Sequence, residues 1–480
     1  MYDKTADIMT VCSVFGLDPE QIESGSCIRR KDQLFLDVKL KDTRPVCPDC
    51  GHASVRIKGY VPKKINHSVL SDRGCQILYH ARRYVCPVCG RTYYEANPFV
   101  FKRMKISSQV VLSVMKDLMR PTETFTSVAQ RYHISPTTAA ALFDHTVNIP
   151  RARLPKILSI DENYAFFSRE QKSKYVCVLI DQRNGRPIDI LPSRRYEYLD
   201  KYYTSIPACE KEQVEFVATD MYEPYRRIIR KHFRQARHVV DRYHVAQELN
   251  RKIDAVRLRI MKPYRYINHK KRTREQKDAY YLLKHQNKLL FRHFHRSLGR
   301  DRKPLFDIHR KRSYSQHFQK YMNPYDIARE LMAIHPDIRK AWELRDEVTD
   351  FYDRNSGKTA PEALNRLIKK LRESEIEELI AFSKTLNNWK EEILNSFCIS
   401  KAVYITGDTG KIDIEYKRVS NALMENRNAI IKLITKSANG YHNWDRFRNR
   451  CMLVLEKEID FEISREDGSV RIIAKKEPDS

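Results

Sequence analysis

The chain has 480 residues, 41% of them hydrophobic, and a formal charge of +28 at neutral pH. That length exceeds one ordinary core and predicts roughly two to four domains. The charge points to a polyanionic partner, nucleic acid first, and the lack of any run near eighteen apolar residues argues against a membrane-spanning helix.

The opening stretch, MYDKTADIMTVCSVFG, lacks the basic n-region of a signal peptide, so a cytoplasmic protein with no membrane partner is expected. Eleven cysteines are present, and four of them form two brackets of one design, Cys47-Pro-Asp-Cys50-Gly and Cys86-Pro-Val-Cys89-Gly. Without an export signal, such brackets argue for zinc thiolates rather than disulfides. Each knuckle supplies two soft ligands from one tight turn, and its glycine lets the backbone fold around the metal. QLFLDVKL before the first bracket, and VRIKGYVPKKI and CQILYHARRYV between the two, alternate apolar with polar or basic residues and predict strands. Residues 1–100 are therefore expected to form a zinc-ribbon domain with Zn²⁺ on Cys47, Cys50, Cys86 and Cys89, and Cys75 packed in its core.

From about Ser107 the pattern turns helical, and TFTSVAQRYHISPTTAAALFDH has the layout of a helix-turn-helix. Val128, Ala129 and Tyr132 face inward, Ile134 plugs the turn, and Ser135-Pro136 supplies an N-cap and a first-turn proline. Thr137 and Thr138 then approach the major groove. His133 stands where such turns often carry glycine, so an ordinary helical hairpin is the competing reading. The domain is placed at 101–150.

Past the Pro150–Pro155 linker, KILSID, KYVCVLID and RPIDILPS read as three antiparallel strands with a turn at Asn184-Gly185. A helix over Tyr196–Ser205, the strand VEFVATD, a helix over Glu223–Phe233, the strand ARHVVD and a long helix from about Tyr243 follow. That element order predicts a ribonuclease H-like core over 151–250. By analogy with that fold, its first and fourth strands lie side by side and bring Asp161 and Asp220 together. Alternation along the first strand sends Glu162 to the face opposite Asp161, so only one of the two is expected at a shared site.

Residues 251–415 are expected as a basic α-helical insertion. From Arg251 to Lys320 there are 22 Lys or Arg against 5 Asp or Glu, interleaved with tyrosine and phenylalanine, a mixture suited to phosphate contacts beside stacking surfaces. Lys270, Lys271, Arg272 and Arg274 are its DNA-contact candidates. The core then closes with a last helix over 416–455, where Leu423, Ile430, Ile431 and Ile434 form a buried stripe and Glu425 lies off it. Residues 456–480 read as a charged tail without chemistry.

The CPxCG knuckles, LSIDENYAFF, ATDMYEPYRRIIRKHF, VVDRYHVAQELN and SNALMENRNAIIKLITKSANGYHNWDRFRNR together resemble the ISL3-type bacterial insertion-sequence transposases, over most of the chain. The resemblance implies that Asp161, Asp220 and Glu425 are the DDE carboxylates, here with Asn426 where family members often carry glycine. It also implies a multidomain α/β protein acting on double-stranded DNA at the nucleoid, binding the terminal inverted repeats of its element as a dimer or larger assembly. Hard carboxylate oxygens suit Mg²⁺ or Mn²⁺ and the two-ion chemistry of strand cleavage and transfer. Asp161 would bridge the ions, with Asp220 and Glu425 each holding one. Asp241 and His244 of DRYH would support the acids from behind, His244 orienting a phosphate or donating a proton. A DNA-binding regulator that keeps the fold without cutting, and an RNA-processing nuclease, are the competing functions.

Overall fold

The computed structural model describes residues 12, 18–30, 33–70, 73–102, 104–168, 173–406, 411–418 and 422–475. The N-terminal stretch read for a targeting signal lies, apart from Cys12, outside the described residues. No helix among them is long and apolar enough to cross a membrane.

The first sheet contains β1 (Ile22–Arg30), β2 (Gln33–Leu40), β3 (Arg56–Leu70), β4 (Arg73–Val85) and β5 (Thr92–Tyr94), in the order β1-β2-β4-β3 with β5 on β4. Alternation in β2 buries Leu34, Leu36 and Val38 against Cys75, Ile77 and Tyr79 of β4. The cysteine knuckles follow β2 and β4, so the sheet holds both at one end.

Three helices come next: α1 (Ser108–Leu118), α2 (Phe125–Arg131) and α3 (Pro136–Thr146). The expected cap is present, with Ser135 Oγ accepting the Thr138 N–H at 3.1 Å and Pro136 opening α3. His133 takes φ +51°, so the position where such turns favour glycine is left-handed here too.

The second sheet is the centre of the molecule. Strands β6 (Ile157–Ser168), β7 (Ser173–Asp181), β8 (Pro187–Leu191), β9 (Phe216–Thr219) and β10 (Arg237–Val240) run in the order β10-β9-β6-β7-β8. β6, β9 and β10 are parallel, whereas β7 and β8 are antiparallel to their neighbours. The expected adjacency of the first and fourth strands is present, with Leu158 opposite Val217. Helices α4 (Tyr196–Thr204) and α6 (Glu223–His232) cover one face, and the short α5 (Ala208–Glu212) lies between them in sequence. Two helices from the end of the chain, α14 (Ala422–Ser437) and α15 (Trp444–Leu455), cover the other. Burial on both faces is why these strands are almost continuously apolar.

Between β10 and α14 lie α7 (Arg242–Tyr266), α8 (Arg274–His285), the hairpin β11 (Ser313–Ser315) and β12 (Lys320–Met322), then α9 (Pro324–Ala333) and α10 (Pro336–Arg354). They continue into α11 (Ala360–Arg372), α12 (Glu377–Asn388), α13 (Lys390–Asn395) and a hairpin of β13 (Ile399–Thr406) and β14 (Lys411–Arg418). The helices share a core around Leu249, Trp342, Leu364 and Phe382. The expected boundary at 250/251 falls inside α7. Charge composition changes there, but the helix, N-capped by Asp241, runs on without a break.

The expected charged tail is a correction. β15 (Ile459–Ile463) and β16 (Val470–Ala474) form a hairpin, and Phe461 is buried with Val110, Val114 and Leu118 of α1. Its alternating apolar side suffices because only one face of a two-stranded sheet needs covering.

Candidate active site

The four knuckle cysteines converge. Cys47 Sγ lies 3.6 Å from Cys89 Sγ, and Cys50 Sγ lies 3.6 Å from Cys86 Sγ. All four sulfurs lie within 4.8 Å of one another, and zinc with Zn–S bonds of about 2.3 Å and tetrahedral angles needs sulfurs about 3.8 Å apart. Gly51 and Gly90 sit at φ +71° and +70° and return their N–H groups to the carbonyls of Cys47 and Cys86. Backbone N–H groups of Cys89 and Val88 pull the Cys86 thiol down to about 6 and those of Cys50 and Asp49 lower Cys47, whereas Cys50 is raised to about 12 and Cys89 is also raised, so without metal the four sulfurs divide between thiolate and thiol.

A second site opens at the carboxyl ends of the parallel strands, where α/β sheets commonly place ligands. β9 ends at Thr219, so Asp220 follows it directly, and β6 continues two residues past its last pairing with β9 to Asp161. β10 ends at Val240, and Asp241 follows. Across the opening, Glu425 stands in the first turn of α14. Asp161, Asp220 and Glu425 thus line one cleft of about 870 Å³, together with Glu162, His244 and Lys432. Among the described residues no three carboxylates have oxygens as close as the four sulfurs. The acids wall an open cleft.

Residues 158–404, just over half the chain, match the family model described as a transposase of the ISL3 DDE type. The chain belongs to the ISL3 family of DDE transposases. Residues 43–89 match a second model, the zinc finger of the transposases of IS204, IS1001, IS1096 and IS1165. The transposase for insertion sequence element IS1001 of Bordetella parapertussis is 21% identical over 419 residues, covering 86% of this chain and 89% of that protein. The protein is therefore a DNA transposase with a structural zinc site and a divalent-metal-dependent catalytic domain.

The electrostatics of the cleft fit a cation. Burial raises the Asp161 carboxyl to about 6, against a hydrogen bond from Asn428 Nδ2 to Asp161 Oδ2 at 2.8 Å and the nearby charge of Lys432. Burial, then the charges of Glu162 and Asp161, raise Asp220 to about 7. Asp220 Oδ1 is buried without a hydrogen-bond partner. A hard cation would satisfy that oxygen and relieve the crowding. Glu425 is also raised, by burial and then by Asp241, while burial lowers His244 and keeps its imidazole neutral near pH 7.

Several residues of the cleft were absent from the sequence reading. Asn428 not only holds Asp161 but is tied to β6, its carbonyl accepting from Asn163 Nδ2 at 2.8 Å. The spacing 425, 428, 432 puts Glu425, Asn428 and Lys432 on one face of α14, and helical arithmetic from Glu425 could have found Asn428. Arg194, after β8, pairs with Glu162 and stacks on Tyr175 and Tyr222 at 4.3 and 4.6 Å. Glu162 corrects an expectation. It points opposite to Asp161 as alternation requires, yet both line the cleft, because β9 is only four residues long and leaves β6 open on that edge.

Asp241 is buried behind the cleft and caps α7, while His244 reaches the lining. Asp181, also at a strand end, accepts the Arg183 N–H at 2.9 Å and only closes its turn. Of the DNA-contact candidates, Thr137 and Thr138 hydrogen-bond through their hydroxyls to Ser135 Oγ at 2.8 and 2.7 Å. Arg272 donates to the Ile267 carbonyl and stacks on Tyr280, and Arg274 donates to the His317 carbonyl. Lys270 and Lys271 are exposed in the turn before α8.

Proposed function

We propose that this transposase binds the terminal inverted repeats of its own insertion sequence and cuts and joins strands at them with Asp161, Asp220 and Glu425. The observation that carries the reading is that these three acids, on β6, directly after β9 and on α14, far apart in sequence, line one cleft. The strand order β10-β9-β6-β7-β8 supports reading the core as ribonuclease H-like, and the capped helices α2 and α3 support reading 101–150 as a helix-turn-helix. In this reading the zinc ribbon (1–100) and the helical domain (101–150) grip the repeat, with Thr137 and Thr138 toward the major groove. The core spans 151–250 and 416–455, and the insertion (251–415) lays Lys270, Lys271, Arg272 and Arg274 along the phosphate backbone. Paired ends imply a dimer or larger assembly on DNA, at the nucleoid.

Bound divalent cations would supply a deprotonated water or 3′-hydroxyl nucleophile and neutralise charge at the leaving oxygen. The carboxylates of Asp161, Asp220 and Glu425 would hold those cations, with Asp161 between the other two. Asn428 fixes the Asp161 carboxylate through Oδ2. Lys432 and Arg251 place positive charge where the scissile phosphate enters, and Arg194 restrains Glu162. Neutral His244 can hydrogen-bond a phosphate oxygen or receive a proton at its imidazole.

Asp161→Asn, Asp220→Asn and Glu425→Gln are expected to keep binding of the end DNA while Mg²⁺-dependent cleavage falls by about a hundredfold or more. Cleavage mapping and gel-shift titration on the same DNA test this. Full cleavage by any of the three variants would remove that residue from the assignment, and native protein that binds its end DNA without cutting would mark a regulator instead.

A further inference from the structure

Three large aromatic rings stand exposed on the lining of the acid cleft. Tyr164 is 59% exposed, Tyr175 37% and Tyr243 48%, a group of ring surface gathered on one cleft rather than single scattered residues. Their placement follows from the elements that carry the acids. Tyr164 lies three residues beyond Asp161 on β6 and is directly opposite Tyr175 on β7, the ring centroids 5.6 Å apart and nearly perpendicular. Tyr243 follows Asp241 by two residues in the first turn of α7, its ring 5.6 Å from that of His244. Arg194 stacks on Tyr175, and Arg251 and Lys432 add positive charge to the same lining. Flat apolar faces alternating with cations are what a single nucleic-acid strand requires, bases on the rings and phosphates on the charges.

A duplex does not present its bases this way. In paired DNA the bases beside a phosphate are stacked inside the helix, and an enzyme reaches them only by drawing the strand away from its partner. We propose that Tyr164, Tyr175 and Tyr243 form a stacking platform for unpaired nucleobases flanking the scissile phosphate, so that the transposase cuts a locally melted end. The proposal rests on the cleft being the catalytic site. The platform acts by holding the strand open, and the rings take no part in bond making.

The test compares two versions of the end DNA, one fully paired and one mismatched over the few base pairs around the cut, with the full-length protein. Tyr243→Ala and the double variant Tyr164→Ala/Tyr175→Ala are expected to cut paired ends at least tenfold more slowly than the native protein, mainly in kcat. On pre-melted ends they should come within about threefold of it, and the corresponding Phe variants should match it on both. An equal loss on both DNAs, or no loss on either, overturns the proposal. A second measurement does not depend on cleavage. 2-Aminopurine beside the cut should brighten when Asp220→Asn protein binds the paired end, and should not when the tyrosines are also replaced. Persistent brightening without the tyrosines overturns the platform even where cleavage has been lost. Unimpaired cleavage by Asp220→Asn would instead sink the catalytic assignment and leave the fluorescence result to be judged by itself.

Discussion

At the scale of single residues, the cleft is built from carboxylates held away from their ordinary range. Asp161 at about 6 and Asp220 at about 7 are both raised, so in the metal-free protein the fold favours their protonated forms. That contribution to stability is complete below about pH 4 and is lost as pH rises through about 6 and then about 7. A cation needs the ionised forms, so its binding must displace protons in the same window. Mg²⁺ or Mn²⁺ affinity is therefore expected to climb between pH 5.5 and about 8. Calorimetric titration in buffers of different ionisation enthalpy should detect proton release near pH 6 and little near pH 8. Affinity independent of pH across that range would show that these two carboxyls do not hold the metal. Little of this was legible in the sequence beyond the acids themselves. Burial of Asp220 depends on the neighbouring strands and on Glu162, residues brought there by tertiary pairing.

Whole elements were easier to read where they carry their own local signal. The apolar runs of β6 to β10, the Ser135-Pro136 start of α3 and the two glycine-closed knuckles all depend on residues a few positions apart, and each is found where the pattern put it. The hairpin β15–β16 was missed because its apolar positions, among them Phe461 and Ile472, are separated by charged residues and acquire meaning only against α1. Contacts between elements were also hidden. Arg226 of α6 pairs with Glu392 of α13 at 2.8 Å, both side chains about 6% exposed, and lies 3.6 Å over the Trp389 ring. This pair fastens the insertion to the core just behind the cleft, whose lining Trp389 joins. Glu392→Ala removes the buried carboxylate and leaves the Arg226 guanidinium with the exposed Glu223 at 3.2 Å and the Asn388 carbonyl at 2.8 Å, and is expected to cost about 3 kcal/mol. Urea denaturation would measure it, and a loss below about 1 kcal/mol would mean that the pair is open to water.

For the molecule as a whole, the order of the chain and the order of its assembly differ. The helical domain at 108–146 completes its core with Leu453 of α15 and Phe461 of β15. Buried Arg450 donates to the carbonyls of Arg120 and Glu123 at 2.8 and 2.9 Å, and Arg446 makes a two-pronged contact with Asp144. The helices proposed to read DNA are thus fixed to the sheet that carries Asp161 through residues some three hundred positions later in the chain. Phe461→Ala is expected to destabilise the protein by about 3–5 kcal/mol and to weaken end-DNA binding although Phe461 faces no solvent. Denaturation and gel-shift titration of that variant test the link, and unchanged affinity with reduced stability would show that the helices keep their shape without the hairpin.

That late closure has a bearing on how the protein is made. A ribosome that stops before α15 releases a polypeptide that contains its zinc knuckles, Asp161 and Asp220 but lacks Leu453 and Phe461, against which α1 to α3 pack. If it stops before α14, Glu425 is missing as well. Incomplete products lack residues that complete the core of α1 to α3, so their helical domain is expected to be less stable than that of the full chain.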